Sequence, residues 1–353
     1  MMILFSGLMT LVSTSSFGIA PFIAYSLPAW VIINVSYLIL VLYKKKYWII
    51  SGVFFSIGIW GLHNTYAILG STNKGDIRVM SYNVRLFDFY NWLQRDTWDD
   101  WEERKDNGAI LDSIYSTIKS TNPDIISFQE YFNQPFGTYK TKRQFKIKQG
   151  YKHSNIYYSF KEKGNKVGMA TFSKFPIINK KYIKFKNSQN NGILISDVLK
   201  DNDTIRIINV HLQSFKFGKN QYKYLKNLKD STYEAIDILE TKALVIRLYN
   251  GFNKRENQMK IVKSQIENSP YPVILCGDLN EVPLSYVYEQ LSCKLQDSFL
   301  KAGSGLGITH TSGSPFMRID YILTSPIFKT VGYQTIKRKL SDHYPIVADL
   351  KLP

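Results

Sequence analysis

Charge is missing from the first 43 residues of this 353-residue chain, and no carboxylate occurs before Asp76. The only formal charges ahead of it are Lys44, Lys45, Lys46 and Lys74. So apolar a stretch excludes an ordinary solvated surface, and the mean hydropathy of −0.18 averages an apolar head with a polar, basic globule. Cysteine is scarce. Cys276 and Cys293 have no zinc-ligand spacing and read better as small buried hydrophobes than as a disulfide. No Gly-x-Ser-x-Gly elbow and no Gly-x-Gly-x-x-Gly after a strand occurs, which disfavours serine hydrolases and dinucleotide enzymes. Internal repeats and low-complexity tracts are also lacking.

The apolar head has a direct physical reading. Roughly 20 apolar residues in a helix span a hydrocarbon core. Three such helices are expected, at about 3–24, 27–43 and 47–69, with Pro21 and Pro28 near the first break and His63 and Asn64 interrupting the last. Tyr43, Tyr47, Trp48 and Trp60 suit the headgroup zone. A signal peptide followed by a buried helix fits less well, because no basic segment precedes the first run. Lys44, Lys45 and Lys46 between the second and third spans favour a cytoplasmic loop. The expectation is an integral membrane protein, of the bacterial inner-membrane kind, with everything after Leu69 on the non-cytoplasmic side. Residues 70–75 read as a linker and 76–353 as one globular domain.

In that domain short apolar runs alternate with helical stretches, which implies a layered α/β architecture. Strands are expected at Ile77–Val84, Asp124–Gln129, Val167–Ser173, Gly192–Leu199, Ile205–His211, Pro272–Asp278, Ile319–Thr324 and Ile346–Leu350. Helices are expected at Trp101–Ser120, Leu225–Tyr249, Lys254–Asn268 and Ser285–Leu291. Polar groups stand at the ends of several apolar runs: Asn83, Gln129-Glu130, His211, Asp278 with Asn280, Asp320, and Asp342-His343. A rigid scaffold presents such residues to a cleft at the rim of a sheet. Carboxylates and amides without thiolates suit Mg²⁺ or Mn²⁺. Histidines beside them can move protons, a combination fit for metal-assisted hydrolysis of a phosphoester. Each residue alone has a plainer explanation: a turn, a helix cap, a solvated loop or a buried histidine.

Their order carries more. Ser81-Tyr82-Asn83, Pro123-Asp124-Ile125-Ile126 with Gln129-Glu130, Gly168-Met169-Ala170 with Ser173-Lys174-Phe175-Pro176-Ile177, Asn209-Val210-His211-Leu212, Gly277-Asp278-Leu279-Asn280, Arg318-Ile319-Asp320-Tyr321-Ile322 and Ser341-Asp342-His343-Tyr344-Pro345 together resemble the endonuclease/exonuclease/phosphatase superfamily. The resemblance covers about 76–353. It implies a four-layer αββα sandwich of two mixed sheets and a Mg²⁺-dependent phosphoesterase, with Mn²⁺ as a substitute. It implies Glu130 as the main metal carboxylate, with Asn83 beside it and Asp342 nearby. Asp278 would orient or deprotonate the attacking water, Asn280 would hold a phosphate oxygen, and His343, oriented by Asp320, would face the scissile phosphate. His211 would be the second active-site histidine. Deoxyribonuclease-like members pair that histidine with a Glu, where Asn190-Asn191-Gly192-Ile193 offers Asn191, and a neutral partner would leave the imidazole less readily protonated.

The substrate is less legible. Forty-one Lys and Arg against 28 Asp and Glu from residue 76 onward leave a formal +13, which favours anionic partners. Lys and Tyr interleave over Phe215–Lys229, as on single-strand binding surfaces, on lipid-headgroup surfaces or in a solvated linker. Three readings stay open: a nuclease-like phosphodiesterase, a phospholipid- or sugar-phosphate-directed phosphoesterase, and a non-catalytic scaffold on the same fold.

Overall fold

The computed structural model describes residues 2–44, 63–68, 70–90, 108–186, 188, 190–215, 238–311 and 317–352, with isolated positions 49, 52 and 56. At the N-terminus α1 (Met2–Met9) and α2 (Ala20–Tyr25) are separate pieces, and α3 (Leu27–Lys44) follows. The single helix expected over 3–24 is therefore broken. The Thr10 hydroxyl donates to the Gly7 carbonyl at 2.7 Å, and the Ser16 amide donates to the Ser13 hydroxyl at 3.1 Å. Hydroxyls that engage nearby backbone compete with helical bonding. Among the described residues one stretch, Ala20–Tyr37, is long and apolar enough to cross a membrane. The expected span at 47–69 lies mostly outside the described residues.

Two six-stranded sheets form the body of the domain. The first runs β11 (Lys329–Thr335), β12 (Ile346–Lys351), β1 (Ile77–Asn83), β2 (Ile125–Asn133), β4 (Asn165–Ser173), β3 (His153–Glu162). The second runs β5 (Ile177–Lys184), β6 (Gly192–Lys200), β7 (Asp203–His211), β8 (Val273–Asp278), β10 (Asp320–Thr324), β9 (Gln296–Asp297). Each sheet is mixed. β1 is parallel to β2 and β7 to β8, while β12 and β6 pair with their neighbours antiparallel. A parallel step requires a crossover. Helix α4 (Ala109–Thr121) lies in the first; α5 (Thr141–Ile147) follows β2, and α6 (Ile238–Glu267) lies in the second.

Period-two alternation sorts the strand residues into two faces. Leu111, Ile114 and Ile118 of α4 pack with Met80, Tyr82, Ile126 and Phe128 on the outer face of the first sheet. Met259 and Val262 of α6, with Val287 and Leu291 of α7 (Tyr286–Ser292), pack with Ile208, Val210, Leu275 and Leu323 on the outer face of the second. Between the sheets Ile77, Val79 and Ile125 meet Ile207, Ile274, Cys276 and Ile322. The layers are helix, sheet, sheet, helix. Both cysteines are free thiols, Cys276 buried and Cys293 exposed.

Within the globule the helices depart from expectation: the short helices Thr141–Ile147 and Ser298–Ala302 are additional to those expected. The two expected at 225–249 and 254–268 are one helix, which runs unbroken through Gly251. A Cβ at Gly251 would stand 2.6 Å from the Phe215 ring, and Phe252, Arg255 and Met259 are buried below it. Packing overrides the low helix propensity of glycine. Residues 225–237 lie outside the described residues, as do 101–107 ahead of α4.

Candidate active site

The rows facing between the sheets change character along their length. On β1 Val79 is followed by Ser81 and Asn83; on β7 Ile207 by Asn209 and His211; on β8 Ile274 by Cys276 and Asp278; on β10 Ile322 leads back to Asp320. Each row ends polar at the same rim. Beneath the rim lies a buried amide bridge: Gln129 Nε2 donates to Asn209 Oδ1 at 2.8 Å, and Asn209 Nδ2 donates to the Phe128 and Ala170 carbonyls at 3.1 Å each. The bridge joins β2 and β4 of one sheet to β7 of the other.

Asp278 is the hub. Its Oδ2 accepts from Asn83 Nδ2 at 3.0 Å and stands 3.7 Å from His211 Nε2 and 3.8 Å from His343 Nε2. Its Oδ1 accepts from the Asn280 amide at 2.8 Å. Register explains the meeting, since Asp278 pairs with His211 across the parallel ladder and with Asp320 across the antiparallel one. His343 arrives from the loop before β12, which Ser341 ties to β1 by donating to the Asn83 carbonyl at 2.9 Å. His343 Nδ1 lies 2.9 Å from Asp320 Oδ2. Asn280, with φ of +51°, donates from Nδ2 to the Leu212 carbonyl at 3.0 Å.

Glu130 reaches the rim through a β-bulge. Pairing between β2 and β4 shifts between Phe128 and Tyr131, and Glu130 takes φ of +50°. An extra residue re-aims the side chains around it. Gln129 thus turns to Asn209 while Glu130 Oε1 stands 3.9 Å from His211 Nε2. Asp342 completes the set, its Oδ1 accepting from Ser341 Oγ at 3.2 Å. Asn83, Glu130, His211, Asp278, Asn280, Asp320, Asp342 and His343 all gather at one end of the sandwich.

Asn191 does not stand where a partner of the second histidine was expected. Its Oδ1 accepts from Ser188 Oγ and its Nδ2 donates to the Leu212 carbonyl, both at 2.8 Å, so its amide shapes the loop beyond His211. Two residues at the rim escaped the sequence reading. Arg85 Nε lies 3.3 Å from Asp342 Oδ2. It sits on a 3-10 turn, Arg85–Asp88, in which all four residues have positive φ, a conformation costly for L-residues. Phe87, buried against Phe128 and Tyr131, holds that turn in place. His310 forms a β-bridge with His343, their rings edge to face at 4.9 Å. A signal was present: the chain has 5 histidines, and His310 is one of those near the Asp320 and Asp342 motifs.

Burial and mutual repulsion dominate the electrostatics. Loss of water around the carboxyl pushes Glu130 up to about 7, with Asp342 and Asp278 adding and His343 and Arg85 opposing, although the side chain keeps 34% of its surface exposed and solvent screening reduces the effect on stability. Asp278 is raised as well, first by burial and then by Asp320, against His343 and His211. Burial raises Asp342 too, but His343, Arg85 and His310 outweigh it and leave Asp342 low. For His343 burial works against charge, yet Asp320 and Asp278 more than compensate and hold the imidazolium well above its ordinary range. Burial and His343 together lower His310 to about 4.

Carboxylates facing one space and partly neutralised are suited to a divalent cation. Two groups place candidate ligand atoms within 4.8 Å of one another, His310-Asp342-His343 and Asp278-Asp320-His343. Both include His343, whose Nδ1 is engaged by Asp320. Of the expected oxygen donors, Asn83 Oδ1 accepts from the Arg85 amide at 3.1 Å, Asp342 Oδ2 lies 3.3 Å from Arg85 Nε, and Glu130 stands at the rim.

A two-sheet sandwich that presents this combination at its rim defines a class, the phosphoester hydrolases. The model of the Endonuclease/Exonuclease/phosphatase family matches residues 80–343, and the chain belongs to that family. No curated protein matches the chain. Among solved structures, an endonuclease/exonuclease/phosphatase family protein from Bacteroides thetaiotaomicron is similar at 18% identity and a TM-score of 0.54, over 79% of this chain and 98% of that one. A mannosyl-6-phosphatase from the same organism is similar at 17% identity and 0.51, over 78% and 99%. A humanized D. rerio TDP2 is similar at 16% identity and 0.51, over 78% and 98%. At these identities the likeness is one of fold.

Proposed function

We propose that the chain is a membrane-anchored, Mg²⁺-dependent phosphodiesterase of nuclease-like type. The observation that carries this is the convergence on Asp278 Oδ2 of Asn83, His211 and His343, from both sheets, beside Glu130 and Asp342. Asn83, Glu130 and Asp342 would hold Mg²⁺, or Mn²⁺ in its place, which supplies Lewis-acid neutralisation of phosphate oxygens. The remaining residues act on the ester itself. Asp278, raised by burial yet bonded by Asn83 and the Asn280 amide, orients and deprotonates the attacking water. Asn280 holds a phosphate oxygen. The imidazolium of His343, kept charged by Asp320, stabilises the charge that develops on the phosphoryl group. His211 stands on the other side of Asp278, where it serves the leaving group.

Nucleic acid is the favoured substrate, because the formal +13 of the globule attracts a polyanion. Anchoring is supported by length and composition, since Ala20–Tyr37 is long and apolar enough for a bilayer, while Tyr25, Leu27 and Val31 of that stretch lie against the domain. A second reading rests on that same segment. Leu8, Ile32 and Ile33 are exposed on helices attached to the domain and Leu11 on the turn after the first, which suits a phospholipid in the membrane plane. The full-length protein offered plasmid, single-stranded DNA, RNA, bis-p-nitrophenyl phosphate, phospholipids and sugar phosphates, with Mg²⁺, Mn²⁺ or EDTA, separates these readings. Cleavage of nucleic acid alone supports the first; cleavage of lipid or sugar phosphate alone supports the second. Inertness towards all of them would favour a scaffold.

A further inference from the structure

The apolar segment reaches the loop that carries Asn280. Tyr25, at the end of α2, donates from its hydroxyl to Glu281 Oε2 at 2.5 Å. Glu281 Oε1 receives Arg255 Nε, also at 2.5 Å, and both of these charged residues are buried. The guanidinium lies over the Phe215 ring at 4.1 Å and the Phe252 ring at 5.1 Å. Its Nη1 donates to the Gln213 carbonyl at 2.9 Å. One cation thus joins the chain two residues beyond His211 to the chain three residues beyond Asp278. Phe22 and Tyr25 meet Phe252 edge to face, and Leu27 and Val31 pack on Leu284 of the same loop. Asn280 itself stands at φ of +51°, a conformation that Asn adopts more readily than other non-glycine residues.

We propose that Tyr25 is a positioning residue of the reaction: through Glu281 and Arg255 it braces Asn280 and Asp278, so that the N-terminal segment is a working part of the active site as well as an anchor. This rests on the reading that Asn280 holds the phosphate. Tyr25→Phe removes one hydroxyl and keeps the ring against Phe252. Asn280→Ala removes the group on which the brace acts. The full-length protein is assayed with Mg²⁺ and bis-p-nitrophenyl phosphate in a double-mutant cycle. Tyr25→Phe alone lowers kcat about five-fold at nearly unchanged KM, with a melting temperature a few degrees lower because the buried Glu281 Oε2 loses its donor, and has no further effect on the residual kcat of Asn280→Ala. Ser15→Ala, which removes the segment's hydroxyl bond to Glu256 but keeps the Tyr25–Glu281 and Arg255–Glu281 bonds, leaves kcat unchanged. Glu281→Gln lowers kcat further than Tyr25→Phe; if it does not fold, the Tyr25 cycle decides alone. An unchanged kcat in Tyr25→Phe, a loss that multiplies fully with that of Asn280→Ala, or an equal loss in Ser15→Ala overturns the brace and leaves the phosphoesterase reading intact. A silent Asn280→Ala overturns both.

Discussion

The first sheet contributes Asn83 and Glu130 to the rim and, from the loop before β12, Asp342 and His343; the second contributes His211, Asp278, Asn280 and Asp320. On the first sheet the oxygen donors proposed for the cation predominate, and on the second the groups proposed to handle water and phosphate. Hydrogen bonds cross between them from Asn83 to Asp278 and between His343 and Asp320, Glu130 approaches His211 and His343 approaches Asp278, and the amide bridge of Gln129 and Asn209 lies below. Neither sheet holds a complete site. The relative placement of the two sheets is therefore a catalytic variable, and their apolar interface has a functional duty beyond stability.

That division can be broken by mutation. The largest effect is expected for the groups that handle the phosphate: Asp278→Asn on the second sheet, and His343→Ala, which enters from the first sheet but is held by Asp320 of the second, should each lower kcat by about 10³- to 10⁴-fold, as for lost acid–base and electrostatic groups. Calorimetric titration with Mn²⁺ should show both variants still binding metal. On the first sheet Glu130→Gln should raise the half-saturating Mg²⁺ concentration by about 100-fold, with kcat largely recovered at high Mg²⁺. If Glu130→Gln were instead dead at every Mg²⁺ concentration and Asp278→Asn lost the metal, the assignment of roles to the sheets would be reversed.

The sequence was legible where burial imposes a pattern. All eight strands expected from it are present, and they are the interior strands of both sheets. The four it did not reveal, β3, β5, β9 and β11, are the four edges. The physical reason is plainest in β5, Ile177–Lys184, whose central residues Ile178, Asn179, Lys180 and Lys181 are exposed. Lysine on an edge discourages pairing with another chain and also erases the apolar alternation that marks a strand. The rim residues were legible because the polar group ends each apolar row. Arg85 was not, since its position depends on a left-handed turn that neither propensity nor periodicity anticipates, and His310 was not, since it stands in a loop with no apolar run before it.

A smaller effect should sharpen the role of the bridge between the sheets. Asn209→Leu would leave Gln129 Nε2 without its closest acceptor and the Phe128 and Ala170 carbonyls without their amide donor, all in a dry layer. Buried polar groups stripped of partners cost about 1–3 kcal/mol each, less whatever relaxation recovers. Urea denaturation should show a loss of about 2–4 kcal/mol, while kcat of the folded fraction falls far less than in Asp278→Asn. A stability equal to that of the parent would mean that the amide bridge does not set the spacing of the sheets.

The smallest expected effect concerns pH, and its sign follows from the shifts at the rim. Glu130 is raised from 4.5 to about 7, so in the metal-free protein the folded state keeps a proton that the unfolded chain has already released. Stability from this group therefore falls as pH rises from about 4.5 to 7. His343, held above its ordinary 6.5, acts in the same direction higher up: its contribution is complete below 6.5 and is lost as pH climbs through its raised value. His310, lowered from 6.5 to about 4, works in the opposite direction up to about 6.5, so in EDTA the melting temperature should change little below that pH and decline by a few degrees from there to pH 8. Bound metal requires the deprotonated carboxylates, so the increment from Mg²⁺ should be larger at pH 8 than at pH 6. Glu130→Gln should turn the flat lower part into a rise with pH and leave the decline above it, because it removes the carboxylate on the first sheet and spares the His343–Asp320 pair that spans the two. Equal Mg²⁺ increments at both pH values would place the cation away from Glu130, and with it the division of labour between the sheets would fail.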